Sequence, residues 1–180
     1  MITGKTSISK VNLSAKVFSK IFTDVLKKAG FDVSKLHNGR LSISILSEGQ
    51  PNNLDDHGWE ATGYNLNEEN LKDAINRNSM AQHGPAPGMT KRLAENDILV
   101  SLQIYPIGYE ERDYFSTVSN VINLVGIHEF KEHGLNKKHN NHHHLILQEQ
   151  RKHSSWAKTT AAFKEYYQWL EKNNNEYKPH

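Results

Sequence analysis

Residues 120–134 read NVINLVGIHEFKEHG, and this stretch decides the fold. Its apolar side chains lie around most of the helix that their spacing predicts, so the helix should be buried on more than one face, in the middle of the domain. Ser116 or Thr117, just upstream, is a suitable N-cap. His128 and Glu129 follow the apolar run at once, and titratable groups in such a place usually have a partner. The stretch therefore predicts a buried helix that carries a polar site.

The spacing of two histidines departs from a known zinc-binding pattern. In H-E-x-x-H, histidines four residues apart share one face of an α-helix and bind zinc, while the intervening glutamate activates water. His133 follows His128 by five residues, which places them roughly 140° apart on an ideal α-helix. One ion can contact both only if the helix breaks or carries a π-type bulge before His133. Gly134 suits a break, because glycine readily adopts the left-handed turn that ends a helix.

A third metal ligand is expected from another element, because zinc sites combine residues that are separated by a turn or more. The candidates downstream are His139, His142, His143 and His144. His139 and His142 lie in an Asn/Lys-rich loop and are expected to be solvated. The pattern from His143 to Leu170 predicts one long helix or two consecutive helices, whose first turn would hold His143 and His144. A lone histidine is more often a packed residue than a ligand, so the metal interpretation depends on several histidines converging.

The rest of the chain predicts a mixed fold. Val11–Ala29 carries an amphipathic helical stripe that ends at a glycine. Arg40–Leu46 alternates apolar and polar residues, and Asp97–Ile107 is rich in Val, Ile and Leu, so both predict strands, which are expected to pair. We therefore expect an α+β fold in which a small antiparallel sheet packs against several helices. The active-site helix that bears His128 and Glu129 should be buried, in a zincin-like arrangement.

A single domain, residues 1–180, is expected, because 180 residues is close to the usual size of one domain. Residues 1–95 would form its N-terminal helix and strand portion, and residues 96–180 its metal-binding catalytic portion. The apolar share of 36% is low, and the mean hydropathy is −0.72. The apolar residues nevertheless cluster into periodic runs, which indicates a folded chain.

Composition and charge narrow the class of protein. The 22 Lys and Arg residues against 20 Asp and Glu residues give a net charge of +2, which disfavours nucleic acid as a partner. The chain has no cysteine, so any metal must be bound by histidine and carboxylate. The N-terminal residues lack the apolar core of a signal peptide, and no transmembrane segment is expected, since no run approaches about 20 apolar residues.

The last third of the chain resembles a family of bacterial toxins. Residues 117–166 read TVSNVINLVGIHEFKEHGLNKKHNNHHHLILQEQRKHSSWAKTTAAFKEY. They resemble the C-terminal toxin domains of Rhs-repeat and related polymorphic toxins of Bacteroidetes. Those domains carry a pattern close to S-N-V-x-N-x-x-G-x-H-E-x-x-x-H-G, then a spaced H-H, then K-H-x-x-W-x-x-T-T.

The resemblance implies roles for individual residues, because those domains look like zinc-dependent, peptidase-like hydrolases. His128 and His133 would be zinc ligands, Glu129 the general base and His143 the third ligand, with His144 as a substitute. The family has a glycine before the second histidine, where this chain has Glu132. Glu132 lies four residues after His128, so it is a further substitute ligand.

The resemblance also implies a biological setting. The chain would be a secreted antibacterial toxin or effector domain for interbacterial competition, a metallopeptidase-like hydrolase that cleaves a peptide or amide bond. Its substrate would be a protein or a peptidoglycan peptide, held in a groove between the Asp97–Ile107 strand and the His128 helix. Its partners would be a cognate immunity protein and an upstream Rhs delivery polypeptide. It would be exported through a dedicated secretion system and act in the target cell.

Two alternatives remain open from the sequence. The first is a metal-dependent nuclease toxin of the His-metal finger kind, in which HHHLILQ (residues 142–148) would supply the general base and metal ligands. It would need a β-hairpin before those histidines. The second is a non-enzymatic binding module, in which the histidines form a solvated loop.

Overall fold

The structure, a computed structural model, describes residues 10–12, 15–45, 60–62, 88–104, 115 and 117–179. Its regular elements are, in chain order, β1 (Lys10–Asn12), α1 (Ala15–Lys28), β2 (Ser42–Ile45), β3 (Glu60–Thr62), β4 (Gly88–Ala94), β5 (Asp97–Ile104), α2 (Val118–Val121), a π-helix (Ile122–Leu135), α3 (His143–Lys152) and α4 (Ala161–Asn173). Short 3-10 turns lie at Val33–Lys35, His37–Gly39, Asn140–His142, Trp156–Lys158 and Asn175–Tyr177. The predicted α+β class is confirmed.

The main sheet has three strands in the order β2-β5-β4. Strands β4 and β5 form an antiparallel hairpin, whereas β2 runs parallel to β5, with Ser42 opposite Ser101. The predicted pairing of the two strands is confirmed, but the antiparallel sheet was wrong, because the sheet is mixed. Residues 46–96 separate β2 from β5, and a connection that long permits a parallel crossover. Strands β1 and β3 form a separate two-stranded pair.

Helix α1 buries one face in the core. Its fully buried side chains recur three or four residues apart, at Phe18, Phe22, Val25 and Leu26. The helix ends where Gly30 adopts φ +96°, a conformation that costs glycine little. It begins at Ala15 and not at Val11, because Lys10–Asn12 pair with β3 instead of continuing the helical stripe. The predicted helix is therefore confirmed with a later start.

The π-helix lies at the centre of the described part of the chain. Ten of its fourteen residues are buried, and it packs against α1, α3, β4 and β5. Thr117 caps α2, which leads directly into it, by accepting a hydrogen bond from the Asn120 N–H. A Cβ on Gly126 would lie 2.6 Å from the Phe31 ring, so only glycine permits this approach to the end of α1. The prediction of a centrally buried helix is confirmed.

Helices α3 and α4 are two consecutive helices. They are separated by a turn around Trp156–Lys158, and Thr160 caps α4 by accepting from the Phe163 N–H. The buried Asn120 amide accepts from the Thr160 N–H and donates to the Thr160 hydroxyl, so it holds the start of α4 against α2. Among the described residues, no helix is both long and apolar enough to cross a membrane.

Candidate metal centre

The π-helix brings His128 and His133 onto one face. Its hydrogen bonds join residues five apart, as in the Asn136 N–H that donates to the Lys131 carbonyl over 2.8 Å. A π-helix turns less per residue than an α-helix, so residues five apart lie closer to one face than the roughly 140° that separates them on an α-helix. The two imidazole rings have centroids 4.9 Å apart. Of the two possibilities that the sequence left open, the π-type distortion is present and extends over Ile122–Leu135. The break at Gly134 was wrong, because the helix continues through Gly134, which does not adopt a positive φ.

His143, in the first turn of α3, completes a cluster of three imidazoles. The Nε2 atom of His133 lies 3.2 Å from Nε2 of His128 and 3.2 Å from Nε2 of His143. One nitrogen from each ring lies within 4.8 Å of the other two. His128 and His143 are 4% and 8% exposed, and His133 is half-buried, so the three nitrogens are largely shielded from water.

The partners of the Nδ1 atoms determine which nitrogen carries the proton. His133 Nδ1 lies 2.8 Å from the Lys138 carbonyl, and His128 Nδ1 lies 2.8 Å from the Gln150 side-chain oxygen. Both partners accept hydrogen bonds, so in neutral rings Nδ1 is the donor and Nε2 has a free lone pair. This tautomer is assigned from the hydrogen-bond partners. Lone pairs 3.2 Å apart repel one another, and a cation between them would relieve the repulsion.

Gln150 is itself oriented by Asn123, and both are fully buried. The Asn123 amide nitrogen donates to the Gln150 backbone carbonyl over 2.9 Å, so its oxygen must face the other way. That oxygen accepts from the Gln150 amide nitrogen over 3.1 Å. The Gln150 oxygen is thereby directed at His128. The hydrogen bonds thus run from the Gln150 backbone carbonyl through the Asn123 amide and the Gln150 amide to His128, and they set its tautomer. Residues that hydrogen-bond to metal-binding histidines commonly have this effect.

The C-terminal turn supports His143. Glu176 Oε2 lies 3.6 Å from His143 Nδ1, and the Tyr177 ring stacks on the imidazole with centroids 4.6 Å apart and planes 23° apart. The stacking fixes the plane of the ring, and the carboxylate favours a proton on Nδ1, so Nε2 is left as the ligand atom.

Two of the three nitrogen–nitrogen separations are compatible with a tetrahedral metal ion such as zinc. In a tetrahedral site with Zn–N bonds of about 2.0–2.1 Å, two ligand nitrogens lie about 3.3–3.4 Å apart. The two measured separations of 3.2 Å match that value. Three histidines with one position left over is the arrangement of catalytic zinc sites, in which water or substrate takes the fourth place.

Burial keeps His128 in the form that binds metal. Desolvation lowers the pKa of His128 well below its usual range, and the nearby His133 and His143 lower it further. The ring is therefore neutral at pH 7, with its Nε2 lone pair available.

Glu129 is a buried carboxylate beside the cluster. It is 5% exposed, and its Oε2 lies 3.7 Å from His128 Nε2. Its other oxygen accepts a hydrogen bond from the Thr90 hydroxyl over 2.7 Å. Burial raises the pKa of Glu129, while the charge of His133 and the Thr90 hydrogen bond act in the opposite direction. A carboxylate with a raised pKa is a better proton acceptor near neutral pH.

An open cleft of about 580 Å³ adjoins the cluster at His133. Its lining residues come from β4, the turn after the π-helix and the C-terminal turn: Thr90, Arg92, His133, Lys137, Lys138, His139, Asn141 and Glu176. The cleft therefore gives a substrate of a few residues access to His133 from solvent.

The other candidate ligands lie outside the cluster of three. Glu132 is buried, but its carboxylate accepts from the Asn136 amide over 3.0 Å and lies 3.9 Å from Lys131 Nζ. The described residues give one group of three or more potential ligands, and neither Glu132 nor His144 belongs to it. His139 is exposed, as predicted for the loop, whereas the same prediction was wrong for His142, which is half-buried with its Nδ1 atom shielded from solvent.

Three residues that support the cluster were missed in the sequence. Thr90 lies on β4, whose sequence GMTKRLA has no clear strand alternation, and Glu176 lies in a polar tail. Neither segment carries a signal that links it to the histidines. Gln150 does carry one, because positions 143, 146, 147 and 150 form the buried stripe of α3. A glutamine on such a stripe indicates a buried polar partner.

No β-hairpin directly precedes the second histidine group, because residues 117–142, all of them described, contain no strand. The hairpin that the structure describes, β4–β5, lies upstream of α2 and the π-helix, so it does not lead directly into residues 142–148. Comparisons of the chain with protein-family models, with curated proteins and with solved structures find no match.

Proposed function

We propose that the protein is a zinc-dependent hydrolase that cleaves peptide or amide bonds. The observation that carries the proposal is the convergence of three imidazoles, in which Nε2 of His133 lies 3.2 Å from Nε2 of both His128 and His143, beside a buried carboxylate and an open cleft. Each component has a defined part in metal-assisted hydrolysis.

His128, His133 and His143 would hold the ion. When bound, zinc polarises a carbonyl oxygen and lowers the pKa of a water molecule toward neutrality. Glu129 then accepts the proton of the attacking water and passes it to the departing nitrogen, since its pKa is already raised by burial. The Thr90 hydroxyl keeps one carboxylate oxygen in place, which leaves the other directed at the His128 side of the cluster.

The sheet edge beside the site supports an extended peptide as substrate. The groove was expected beside β5, but β5 is the central strand and both its edges are paired. Among the described strands, the edge next to the π-helix belongs to β4, which bears Thr90. A peptide chain that pairs with this edge would pass the carboxylate of Glu129. The buried HE-bearing helix against a sheet is consistent with a zincin-like arrangement, with a π-helix in place of the shorter histidine spacing.

The resemblance of residues 117–166 to Rhs-associated toxin domains supports a biological role as a secreted antibacterial effector. In that role the chain is joined to a delivery polypeptide, leaves the cell through a dedicated secretion system and is neutralised in the producing cell by an immunity protein. A blocking partner would be expected to cover the cleft at His133.

The metal site is tested by elemental analysis of purified protein. We expect nearly one zinc per chain in the wild type and its loss in the single variants His128→Ala, His133→Ala and His143→Ala. His139→Ala is the matched control, because His139 lines the cleft but does not belong to the cluster, and it should retain zinc. Wild-type protein that remains free of metal after incubation with zinc would refute the proposal.

The hydrolase activity is tested on zinc-loaded protein with peptide and peptidoglycan substrates. Glu129→Gln should bind zinc as the wild type does and lose at least about a hundredfold in rate, the usual contribution of a positioned general base. Hydrolysis that survives this substitution unchanged would assign the proton transfer to another group.

A further inference from the structure

The cleft beside the metal centre is locally basic. Arg92, Lys137 and Lys138 line it together with a single carboxylate, Glu176. The chain as a whole carries a net charge of only +2, so this concentration of positive charge is a property of the cleft and not of the surface in general. Because these three cations line the cleft, their charge influences which ligands bind there.

Arg92 is held close to the metal ligands. It follows Thr90 by two residues on β4, so both side chains emerge on the same face of the strand. One guanidinium N–H of Arg92 donates to the Gly134 carbonyl over 3.3 Å, and Gly134 directly follows His133. The remaining N–H groups of a guanidinium can serve a planar anion. Arg92 is therefore a hydrogen-bond donor that is held beside Gly134, the residue that follows the candidate ligand His133.

The cations of the cleft lack acidic partners within the part of the chain that the structure describes. Lys137 and Lys138 lie in the turn that follows the π-helix, and no ion pair involves either of them or Arg92. Glu176, the carboxylate of the cleft, lies 3.6 Å from His143 Nδ1. Among the described residues, Glu176 is therefore the single carboxylate that opposes the three cations of the cleft.

We propose that this cleft recognises a carboxylate on the substrate peptide, close to the bond that is cleaved, with Arg92 as its principal donor and Lys137 and Lys138 as supporting charges. The inference rests on the hydrolase function proposed for the site and names its substrate class, a peptide with an acidic residue or a free C-terminus beside the scissile bond. A guanidinium matches a carboxylate with two parallel hydrogen bonds, which gives orientation as well as affinity.

A carboxylate fits the cleft better than a nucleic-acid backbone does. Binding of a phosphate backbone uses a stripe of cations along a face, whereas these three cations are confined to one cleft. The carboxylate of Glu176 also lies in the cleft and would repel a continuous chain of phosphates. A single carboxylate needs only the guanidinium of Arg92, whereas a polyanion that filled the cleft would also meet the negative charge of Glu176.

The test uses three peptides that differ in one group each. The peptides are identical except at the residue beside the central bond and at the C-terminus. The first has Gln beside that bond and an amidated C-terminus, and the second has Glu there and an amidated C-terminus. The third has Gln there and a free C-terminus at the next position. Binding is measured by fluorescence anisotropy with zinc-loaded Glu129→Gln protein and with metal-free wild type, and hydrolysis with zinc-loaded wild type. The second and third peptides distinguish a side-chain carboxylate from a terminal one.

We expect at least one acidic peptide to bind about tenfold or more tightly than the neutral peptide, the size typical of a charge-assisted hydrogen bond. Arg92→Gln should abolish this preference, and Lys137→Gln and Lys138→Gln should each reduce it. Lys158→Gln is the matched control, since Lys158 is exposed and does not line the cleft, and it should leave the preference unchanged.

The failure of this inference is distinct from failure of the hydrolase proposal. Equal binding of all three peptides, or a preference that survives Arg92→Gln, would overturn the inference, even where hydrolysis is observed. Tighter binding of a single-stranded oligonucleotide than of either acidic peptide, lost in Arg92→Gln, would also overturn it and indicate a phosphate site. An Arg92-dependent preference without hydrolysis of any peptide would support the inference and contradict the proposed reaction.

Discussion

The orientation of Glu129 depends on one hydroxyl group. Thr90 donates to the carboxylate over 2.7 Å and is supplied by a strand that precedes Glu129 by 39 residues. If this contact were removed, the Glu129 oxygen would be buried away from water with no hydrogen bond from Thr90 to replace it. The carboxylate could then rotate away from the cluster.

We expect Thr90→Val to lower kcat/KM by about 10- to 100-fold, since hydrogen bonds to charged groups are worth about 1.5–3 kcal/mol. The hydrogen bond lowers the pKa of Glu129, so its removal raises that pKa, and the acidic limb of the pH–rate profile should move to higher pH. Zinc content should not change, and Thr90→Ser, which retains the hydroxyl, should behave as the wild type. An unchanged profile in Thr90→Val would exclude this role.

A second residue-level effect concerns Gln150, which accepts a hydrogen bond from His128. Gln150→Leu keeps a buried side chain of similar size but removes the acceptor, so the His128 tautomer is no longer selected. We expect zinc affinity to fall about 10- to 100-fold, as for other outer partners of metal ligands, in a competition titration with a chromophoric chelator. Gln148→Leu, on the exposed side of the same helix, is the control. Equal affinities in the two variants would show that the Asn123–Gln150 pair is only structural.

At the scale of elements, the contact between the π-helix and strand β5 requires a glycine. A Cβ on Gly134 would lie 2.6 Å from Cγ2 of Ile98, which is fully buried. This methyl group belongs to a β-branched side chain with little rotational freedom. The helix therefore approaches the sheet closely just where it carries His133.

Gly134→Ala should lower the free energy of unfolding by about 1–3 kcal/mol, the usual cost of overpacking, although alanine is intrinsically the better helix residue. In the Ile98→Ala background the clashing methyl group is absent, so the same substitution should have little effect or stabilise. Urea denaturation of the four proteins measures the coupling. Additive effects of the two substitutions would show that the close contact does not determine the stability of this interface.

At the scale of the whole molecule, the buried cluster makes stability depend on pH. In the unfolded chain His128 binds a proton as the pH falls through its ordinary value of 6.5, whereas its pKa in the folded protein is far lower. Below about pH 6.5 the unfolded state therefore binds more protons, and the free energy of unfolding decreases on acidification. Glu129 acts in the opposite sense, because its folded pKa is raised.

The test isolates His128 by working in metal-free Glu129→Gln protein, where the opposing contribution is absent. Between pH 6.5 and 5.5 the histidine should cost up to about 1 kcal/mol, because the unfolded ring is already half protonated at pH 6.5, and this pH dependence should be smaller in the Glu129→Gln/His128→Gln double variant. Identical slopes with and without His128 would mean that the ring is solvated and protonates freely in the folded state.

The sequence alone determined the local features of this protein. The stripe at Phe18, Phe22 and Leu26 predicts α1, and the composition of residues 97–104 predicts β5, because the periodicity of apolar residues records which face of an element is buried. The five-residue spacing of His128 and His133 likewise predicts that, if both bind one ion, an ordinary α-helix cannot continue between them, because the angle between them follows from the helix geometry alone. These predictions needed no information about distant residues.

Only the tertiary structure decided which distant groups meet at the site. Thr90, Gln150 and Glu176 come from three separate segments and contact Glu129, His128 and His143 respectively. The local sequence of Thr90 and Glu176 carries no sign of these contacts, and the buried stripe of α3 indicates only that Gln150 has a polar partner, not which one. The choice of His143 over His144 and Glu132, and the parallel pairing of β2 with β5, have the same origin. Local patterns encode which side of an element is apolar, whereas the packing of the whole core sets which elements face one another across it. The metal centre lies between elements, so packing and not pattern determined its composition.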